Sequence, residues 1–453
     1  MLSQKKAIEN DLTQGDAAKQ LVRYAIPMVT TSLLQALYSM ADLIIAGRFI
    51  GNTGISAINN SSQIMNIATQ IAIGITVGGN ILIGQYYGAG ERRRREHAVG
   101  TLLTASMGLG ILGFLLIFLL SRNILSALGA PALEDATAYL RVCAFGMPFI
   151  FGYNALSAVL RAVGNSRKPL HFIMVSASTN VILDIVFVGG LNMGPAGAAL
   201  ATVLSQCLSF SLALIFLLRH REVFRICLEN LKIRISELKT IFRLGIPSSL
   251  QHTIGGISWL VVTFLINSYG VDVSAGNGVS VKIKDFCQLF ISAMSSGAAT
   301  MIAQTLGAKL YDRAKNVMYT AMKITVLMAV TIIVLVEIFA PQLVSIFTSD
   351  PNVQAAAVMN LRIEILGQIF YAIFFVYHSL AIGAGHTLFA MSSSFVNCIL
   401  FRVVLSITFN HFFGLTGVYW ACMIAPSVSV PLGWLYTRSN LWRRSLVEKQ
   451  KAV

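Results

Sequence analysis

Two acidic side chains, Asp42 and Asp184, lie inside long apolar runs of this sequence. An ionised side chain at the middle of a bilayer costs roughly 2.5–3.5 kcal/mol on insertion scales, so it normally faces a bundle interior or water. Gln35 and Tyr38 precede Asp42 at helical spacing, and Asn180 precedes Asp184 by one turn. We expect these groups to form a proton or sodium site. The alternative is that each acid only pairs with a buried base or amide.

A second group of polar side chains follows one face of a predicted helix. Asn59, Gln63, Asn66 and Gln70 are spaced by 4, 3 and 4 residues, which places all four amides on one stripe. Other polar residues fall in the second half of the chain, namely Gln251, His252, Lys284 and Asp285. We expect both sets to line a cavity for substrate. Hydrogen bonding between helices is the alternative, and a lone histidine such as His252 is more often structural.

The elements that carry these residues are predicted to be membrane-spanning helices. Of the 453 residues, 55% are hydrophobic and only 12% are charged, whereas soluble domains carry about 25% charged residues. Long continuous apolar runs favour helices over strands. The sequence therefore predicts an all-α integral membrane protein with twelve spans, at about 21–46, 55–88, 98–120, 135–163, 169–191, 195–218, 240–268, 274–308, 316–339, 353–384, 388–411 and 416–437.

The formal net charge of +15 is concentrated in alternate short loops. The other loops, around 189–197, 269–273, 340–352 and 411–416, contain no Lys or Arg. By the positive-inside rule the basic loops and both termini are cytoplasmic, and the protein resides in the plasma or inner membrane. The same segregation argues against nucleic-acid binding. We expect cytoplasmic tails at residues 1–20 and 438–453, and a basic linker at 219–239 on the inner leaflet.

An internal repeat organises the chain. Three blocks of the first half match blocks of the second half at offsets of 219, 221 and 220 residues. We therefore predict two six-helix lobes, at residues 21–218 and 240–437, related by a pseudo-two-fold axis along the membrane normal. Such lobes suit alternating access around a central site. The alternative is a duplicated scaffold that does not transport.

The two lobes differ in charge. Asn180 and Asp184 of the first half align with Asn397 and with Phe401 or Arg402 of the second. We therefore expect cation coupling in the first lobe. Glu364 is predicted near the outer end of the tenth span, where a structural ion pair and a functional role are both open.

No catalytic machinery is recognisable in the sequence. There is no phosphate-binding loop and no nucleophile–base pair, and the loops are too short for a soluble catalytic domain. We expect a transporter rather than an enzyme, with no cofactor, driven by an ion gradient or by the gradient of its substrate. The six cysteines lie mostly in apolar runs and are interpreted as small buried hydrophobic residues.

Several short motifs occur in a characteristic order: Ile26-Pro27, Gly47, Gly84-Gln85, Gly88-Ala89, Leu160-Arg161, Gly164-Asn165, Gly194, Gly197-Ala198, Gln304 and Gly307-Ala308. With them, the chain resembles the bacterial-type multidrug and toxic compound extrusion (MATE) family over about residues 20–440. The resemblance implies two six-helix lobes that export organic cations in exchange for Na⁺ or H⁺. It implies a cation site at Asp42, Asn180, Asp184 and Thr202, where Na⁺ is one candidate, and cavity-lining roles for Gln35, Tyr38 and Asn154.

Three functions remain open from the sequence. The leading one is an antiporter for small amphipathic cations, acting as a monomer in the lipid bilayer. The second is a lipid-linked oligosaccharide flippase of the same superfamily, although its pyrophosphate would require more arginines in the cavity. The third is a membrane scaffold without transport.

Overall fold

The computed structural model describes residues 10–129, 132–220, 231–444 and 446–447, and within these residues the regular structure is entirely helical. The first half contains α1 (Ala17–Phe49), α2 (Gly51–Gly88), α3 (Arg92–Ala127), α4 (Leu133–Ala144), α5 (Met147–Ala162), α6 (Arg167–Asp184) and α7 (Gly194–Arg219). The second half contains α8 (Ile235–Asn267), α9 (Val271–Gly307), α10 (Tyr311–Ser345), α11 (Pro351–Ile365), α12 (Gln368–Gly383), α13 (Thr387–Phe395), α14 (Val404–Ile424) and α15 (Ser429–Arg438).

Two π-helical segments lie close to the aligned residues Asn180 and Asn397. The segment π1 (Ile185–Gly190) continues α6 after Asn180, and π2 (Val396–Val403) lies between α13 and α14 and contains Asn397. A π-helical turn adds a residue to the helical turn and is frequently found at functional sites.

The number of membrane spans agrees with the sequence. Nine helices in the described residues are long and apolar enough to cross a bilayer, and two bent pairs bring the number to eleven. One of the nine, Thr387–Arg438, has 52 residues and would be about 78 Å long at roughly 1.5 Å per residue. That exceeds two bilayer thicknesses, and Gly414 interrupts the helix with a φ of 61°. If the 52-residue helix is divided at Gly414, the described residues contain twelve spans, as predicted. The predicted fold class is therefore confirmed.

The two bent pairs occupy equivalent places in the repeat. α4 and α5 meet at 44°, and α11 and α12 meet at 46°. A glycine, Gly146 or Gly367, precedes the second helix in each case, 221 residues apart. An added Cβ would lie 3.0 Å from the carbonyl oxygen of Cys143 at Gly146 and 3.0 Å from that of Met423 at Gly367. Glycine therefore permits the same close bend in both halves.

Packing divides the described chain into two compact units. Unit 1 contains the described residues of Met1–Asp11 and Thr30–Ser249, and unit 2 contains Leu12–Val29 and the described residues of Leu250–Val453. Each boundary lies inside a 33-residue helix two or three residues after a proline, Pro27 in α1 and Pro247 in α8. Such helices are about 50 Å long, so one helix can supply packing surface to more than one core.

Each unit has its own apolar core. In unit 1, α2, α3, α4 and α5 bury Ala72, Leu125, Leu140 and Phe151 together. In unit 2, the first turns of α1 bury Leu21 and Tyr24 among residues of α9, α10 and α12. Residues 221–230 of the predicted basic linker at 219–239 lie outside the described residues, and residues 235–239 belong to α8. Residues 1–9 and 448–453 of the predicted tails also lie outside the described residues.

Candidate functional site

The two intramembrane acids of unit 1 lie near each other. Asp42 projects from α1, and Asp184 ends α6 at the junction with π1. Asp184 is 1% exposed, and neither oxygen of its carboxyl group has a hydrogen-bond partner among the described residues. The charge of Asp42 acts on Asp184. Because two neighbouring carboxyl groups do not readily ionise together, the pair can hold one exchangeable proton, or its oxygens can bind a cation in place of that proton.

Aromatic and thiol groups surround this pair. Tyr38 lies one turn before Asp42 on α1 and interacts electrostatically with Asp42, Asp184 and Cys143. Cys143 in turn is hydrogen-bonded to Tyr139, one turn earlier on α4. The sequence analysis did not identify Tyr139 or Cys143 as site residues, although their spacing of four residues within a predicted span was visible.

Asn180 lies on the same face of α6 as Asp184, and it is 1% exposed. Neither its amide nitrogen nor its amide oxygen has a hydrogen-bond partner in the described residues. Thr202, in contrast, donates its hydroxyl to the Ala198 carbonyl of its own helix at 3.0 Å. Asp42, Asp184 and Tyr38 therefore lie near one another, and Asn180 shares a helix face with Asp184, while the Thr202 hydroxyl bonds within α7.

The donor set at this pair suits a hard cation. Carboxylate and amide oxygens are the ligands that Na⁺-like and Ca²⁺-like ions prefer. In the described part of the chain no three His, Cys, Asp or Glu side chains cluster as a metal site. The oxygen atoms of Asp42, Asp184 and Asn180 offer two carboxylates and one amide.

The amide stripe of α2 is exposed along its length. Asn59, Gln63, Asn66 and Gln70 are all exposed, and so is Gln35 on α1. Exposed amides facing hydrocarbon would each be costly, so we expect these faces to contact water rather than lipid. Asn154 on α5 is half-buried and donates to the Ile150 carbonyl at 2.9 Å.

The predicted cavity residues of unit 2 fall into two groups. His252 and Asp285 are exposed. Gln251 is half-buried, and its side-chain nitrogen lies 2.9 Å from Nδ1 of the buried His378. Lys284 is buried. His378 was not identified from the sequence, where it lies in the more apolar second half of the predicted tenth span.

Lys284 forms an ion pair with Glu364 in the interior of unit 2. The Lys284 Nζ contacts Oε2 of Glu364, and the two side chains are 9% and 4% exposed. Lys284 also donates to Oδ1 of Asn360 at 3.5 Å, and Asn360 donates to Asn277 at 2.9 Å. For Glu364 the structure thus shows the ion pair, one of the two roles that the sequence left open.

The π2 segment decides which residue of unit 2 corresponds to Asp184. An ungapped alignment from Asn180 and Asn397 would place Phe401 opposite Asp184. Because π2 has i→i+5 hydrogen bonding, the residue five positions after Asn397 returns to its face. That residue is Arg402, which is 2% exposed, whereas Phe401 is 39% exposed. Arg402 therefore replaces Asp184, and the charge at this place is reversed between the units.

Bacterial proteins match over most of this chain. It is 26% identical over 357 residues to the probable multidrug resistance protein YoeA of Bacillus subtilis, covering 77% of each chain. It is 27% identical over 439 residues to the probable multidrug resistance protein YpnP of the same species, covering 96% of this chain and 97% of YpnP.

The fold also matches a solved transporter structure. A crystal structure of MATE in the straight conformation superposes with a TM-score of 0.90 at 23% identity, covering 95% of this chain and 97% of the other. The model of the MatE family matches twice, over residues 27–186 and 247–408, once in each half of the repeat. This multi-pass membrane protein therefore belongs to the MatE family, the multidrug and toxic compound extrusion transporters.

Proposed function

We propose that this protein is a secondary active antiporter that exports small organic cations by alternating access in exchange for Na⁺ or H⁺. The observation that supports this most directly is the pair of neighbouring acids Asp42 and Asp184 in unit 1, where the charge of Asp42 acts on the buried Asp184. A carboxyl pair gives up its proton when a cation binds, which makes the two occupants mutually exclusive. Mutually exclusive occupancy is the requirement for antiport.

The substrate class follows from the exposed polar faces. The amides of α2 accept and donate hydrogen bonds without a net charge, and Gln35 adds another amide. With the acids of unit 1, such a surface suits amphipathic cations, which need acceptors, apolar contact and one negative countercharge. Relatives named multidrug resistance proteins are compatible with such a substrate class.

The rest of the proposal concerns placement in the cell. The protein acts as a monomer in the plasma membrane. Both termini lie in the cytoplasm, because the Lys- and Arg-rich loops alternate with loops that have neither residue. Gln63, Asn66, Asn154, Gln251, His252, Lys284 and Asp285 stay proposed cavity residues, and Thr202 a proposed ligand of the cation site.

Uptake into inverted membrane vesicles tests this function. A cationic fluorescent dye should accumulate when either a Na⁺ or a proton gradient is imposed, and the gradient that works identifies the coupling ion. Asp184→Asn should abolish the gradient-dependent part of the dye uptake, because an amide cannot exchange a proton. Asp312→Asn, at the exposed start of α10, is the matched control and should transport like the wild type.

Two results would overturn the proposal. One is wild-type vesicles that accumulate no cationic dye under either gradient while the protein is present in the membrane. The other is unchanged gradient-driven uptake in both Asp184→Asn and Asp42→Asn, which would remove the carboxyl pair from the coupling step.

A further inference from the structure

Arg402 is a buried cation whose hydrogen-bonding capacity is only partly used. It is 2% exposed, and its Nη2 donates to the hydroxyl of Tyr371 at 2.7 Å. Its guanidinium carbon lies 4.9 Å from the centroid of the Trp259 ring. The Nε and Nη1 atoms have no hydrogen-bond partner among the described residues. A guanidinium stays charged at any physiological pH, so this is a fixed positive charge inside unit 2.

The surrounding charges do not neutralise it. Glu364 is the carboxylate whose charge acts on Arg402, and Oε2 of Glu364 is already bonded to Lys284. Two cations and one anion leave this cluster with a net charge of +1. The Trp259 ring and the Tyr371 hydroxyl offset part of the cost but carry no negative charge. A buried cation in a membrane span requires a counter-charge.

A second donor lies on the same face of π2. Asn397 is 1% exposed, and neither atom of its amide has a hydrogen-bond partner among the described residues. The π-helical register places this amide one turn from Arg402. Unit 1 has the same amide, Asn180, one turn from Asp184. The repeat has therefore kept the buried amide and reversed the sign of the charge beside it.

We propose that unit 2 contains a binding site for a small monovalent anion at Arg402 and Asn397. One negative charge would neutralise the cluster, and the free N–H groups of both side chains would donate to it. Chloride and a carboxylate group share this chemistry. The site is separate from the cation site of unit 1, and the inference does not depend on the proposed antiport of cations.

Anion-dependent melting of the purified full-length protein in detergent tests the site. Sodium isethionate, whose anion is bulky, is replaced stepwise by sodium chloride or by sodium acetate at constant ionic strength. A ligand that binds only the folded state raises the melting temperature in a saturable way. Saturation with chloride alone identifies an inorganic anion, and saturation with acetate identifies a carboxylate. A melting temperature that saturates with neither anion overturns the proposal.

Variants separate the site from general salt effects. Arg402→Gln should lose the saturable rise, whereas Arg402→Lys should keep it because the positive charge remains. Arg362→Gln is the matched control, since Arg362 is half exposed and pairs with Glu337 at 3.7 Å. An equal rise in Arg402→Gln and in the wild type contradicts an anion site at Arg402.

Tryptophan fluorescence tests the same site without the Arg402→Gln variant. Bromide quenches tryptophan on contact, so a bound bromide should quench Trp259 with a saturable component in the wild type. That component should be absent from Trp259→Phe, which leaves the other three tryptophans in place. Purely linear quenching in both proteins would contradict binding beside Trp259.

Discussion

At the level of single residues, the two units differ in how their buried charged groups are paired. Asp42 and Asp184 lie near each other in unit 1, and Lys284 is ion-paired with Glu364 in unit 2. In low dielectric surroundings the cost of removing one partner is larger than the net contribution of the pair. The two pairs therefore differ in what they can exchange. The carboxyl pair can exchange a bound proton for a cation, whereas the cation that pairs with Glu364 is part of the Lys284 side chain and cannot leave.

The first prediction concerns the Lys284–Glu364 ion pair. Lys284→Met removes the cation that contacts the buried Glu364 carboxylate, so we expect a loss of about 3–5 kcal/mol in the free energy of unfolding. The double variant with Glu364→Leu removes both charges and should recover most of that loss. Denaturant unfolding in detergent micelles measures both effects.

The exposed ion pair of Arg122 and Glu134 is the control, because these side chains are 62% and 80% exposed. Arg122→Gln should change the free energy of unfolding by about 0–1 kcal/mol. The buried pair would not be coupled if the double variant Lys284→Met with Glu364→Leu lost as much free energy of unfolding as the two single variants lose in sum.

At the level of elements, small residues set the distance between neighbouring helices. An added Cβ at Gly276 of α9 would lie 2.8 Å from the backbone nitrogen of Ala357 in α11. One turn later, Ser280 donates its hydroxyl to the Ala357 carbonyl at 3.0 Å. Close backbone approach between small residues is the usual way that membrane helices pack. This approach holds α11 against α9, next to the ion pair of Lys284.

The second prediction follows from this contact. Gly276→Ala must displace α11, and we expect it to lower the free energy of unfolding by about 1–3 kcal/mol, as for other overpacked interiors. Gly278→Ala on the same helix meets no atom within 4 Å and should be neutral or slightly stabilising. The melting temperatures of Gly276→Ala and Gly278→Ala, measured in the same detergent, test this difference in stability. Equal stability of both variants would contradict the close helix contact.

The π-helical segments are the elements that carry the charge difference between the units. π1 begins directly after Asp184, and π2 contains both Asn397 and Arg402. Because a π-turn adds one residue, it can change which side chain faces the interior without any change in the hydrophobic pattern around it. Sequence comparison by fixed offset therefore left Phe401 and Arg402 as alternatives.

At the level of the whole molecule, the alternation of basic loops with loops that lack Lys and Arg predicts the orientation in the membrane. Four arginines, residues 92–95, follow α2, and Lys309 and Arg313 follow α9, whereas the segment between α10 and α11 has no Lys or Arg. An even number of spans returns the chain to the side from which it entered.

The third prediction tests this orientation. In a cysteine-free background, Thr348→Cys, between α10 and α11, should react with a membrane-impermeant maleimide in intact cells. Lys309→Cys, between α9 and α10, should react only after permeabilisation. Both positions lie outside the helices, so the substitutions should leave the fold intact. Labelling in the opposite pattern would reverse the proposed topology.

The sequence by itself determined the class of the protein, the twelve spans, the repeat and the positions of the charged residues. These features depend on local hydrophobicity and on similarity along the chain, which need no knowledge of packing. The sequence also placed Asp42, Asp184 and Asn180 on interior faces, because helical spacing fixes which residues share a face.

Only the tertiary structure decided which of those residues meet. Asp42 and Asp184 are 142 positions apart, and Lys284 and Glu364 are 80 apart, so their contacts depend on how distant helices pack. The selection of Arg402 over Phe401 required the i→i+5 hydrogen bonds of π2, which hydrophobic periodicity does not encode. Likewise, the division of α1 and α8 between the two units depends on which core each turn is packed against, a property of the folded chain alone.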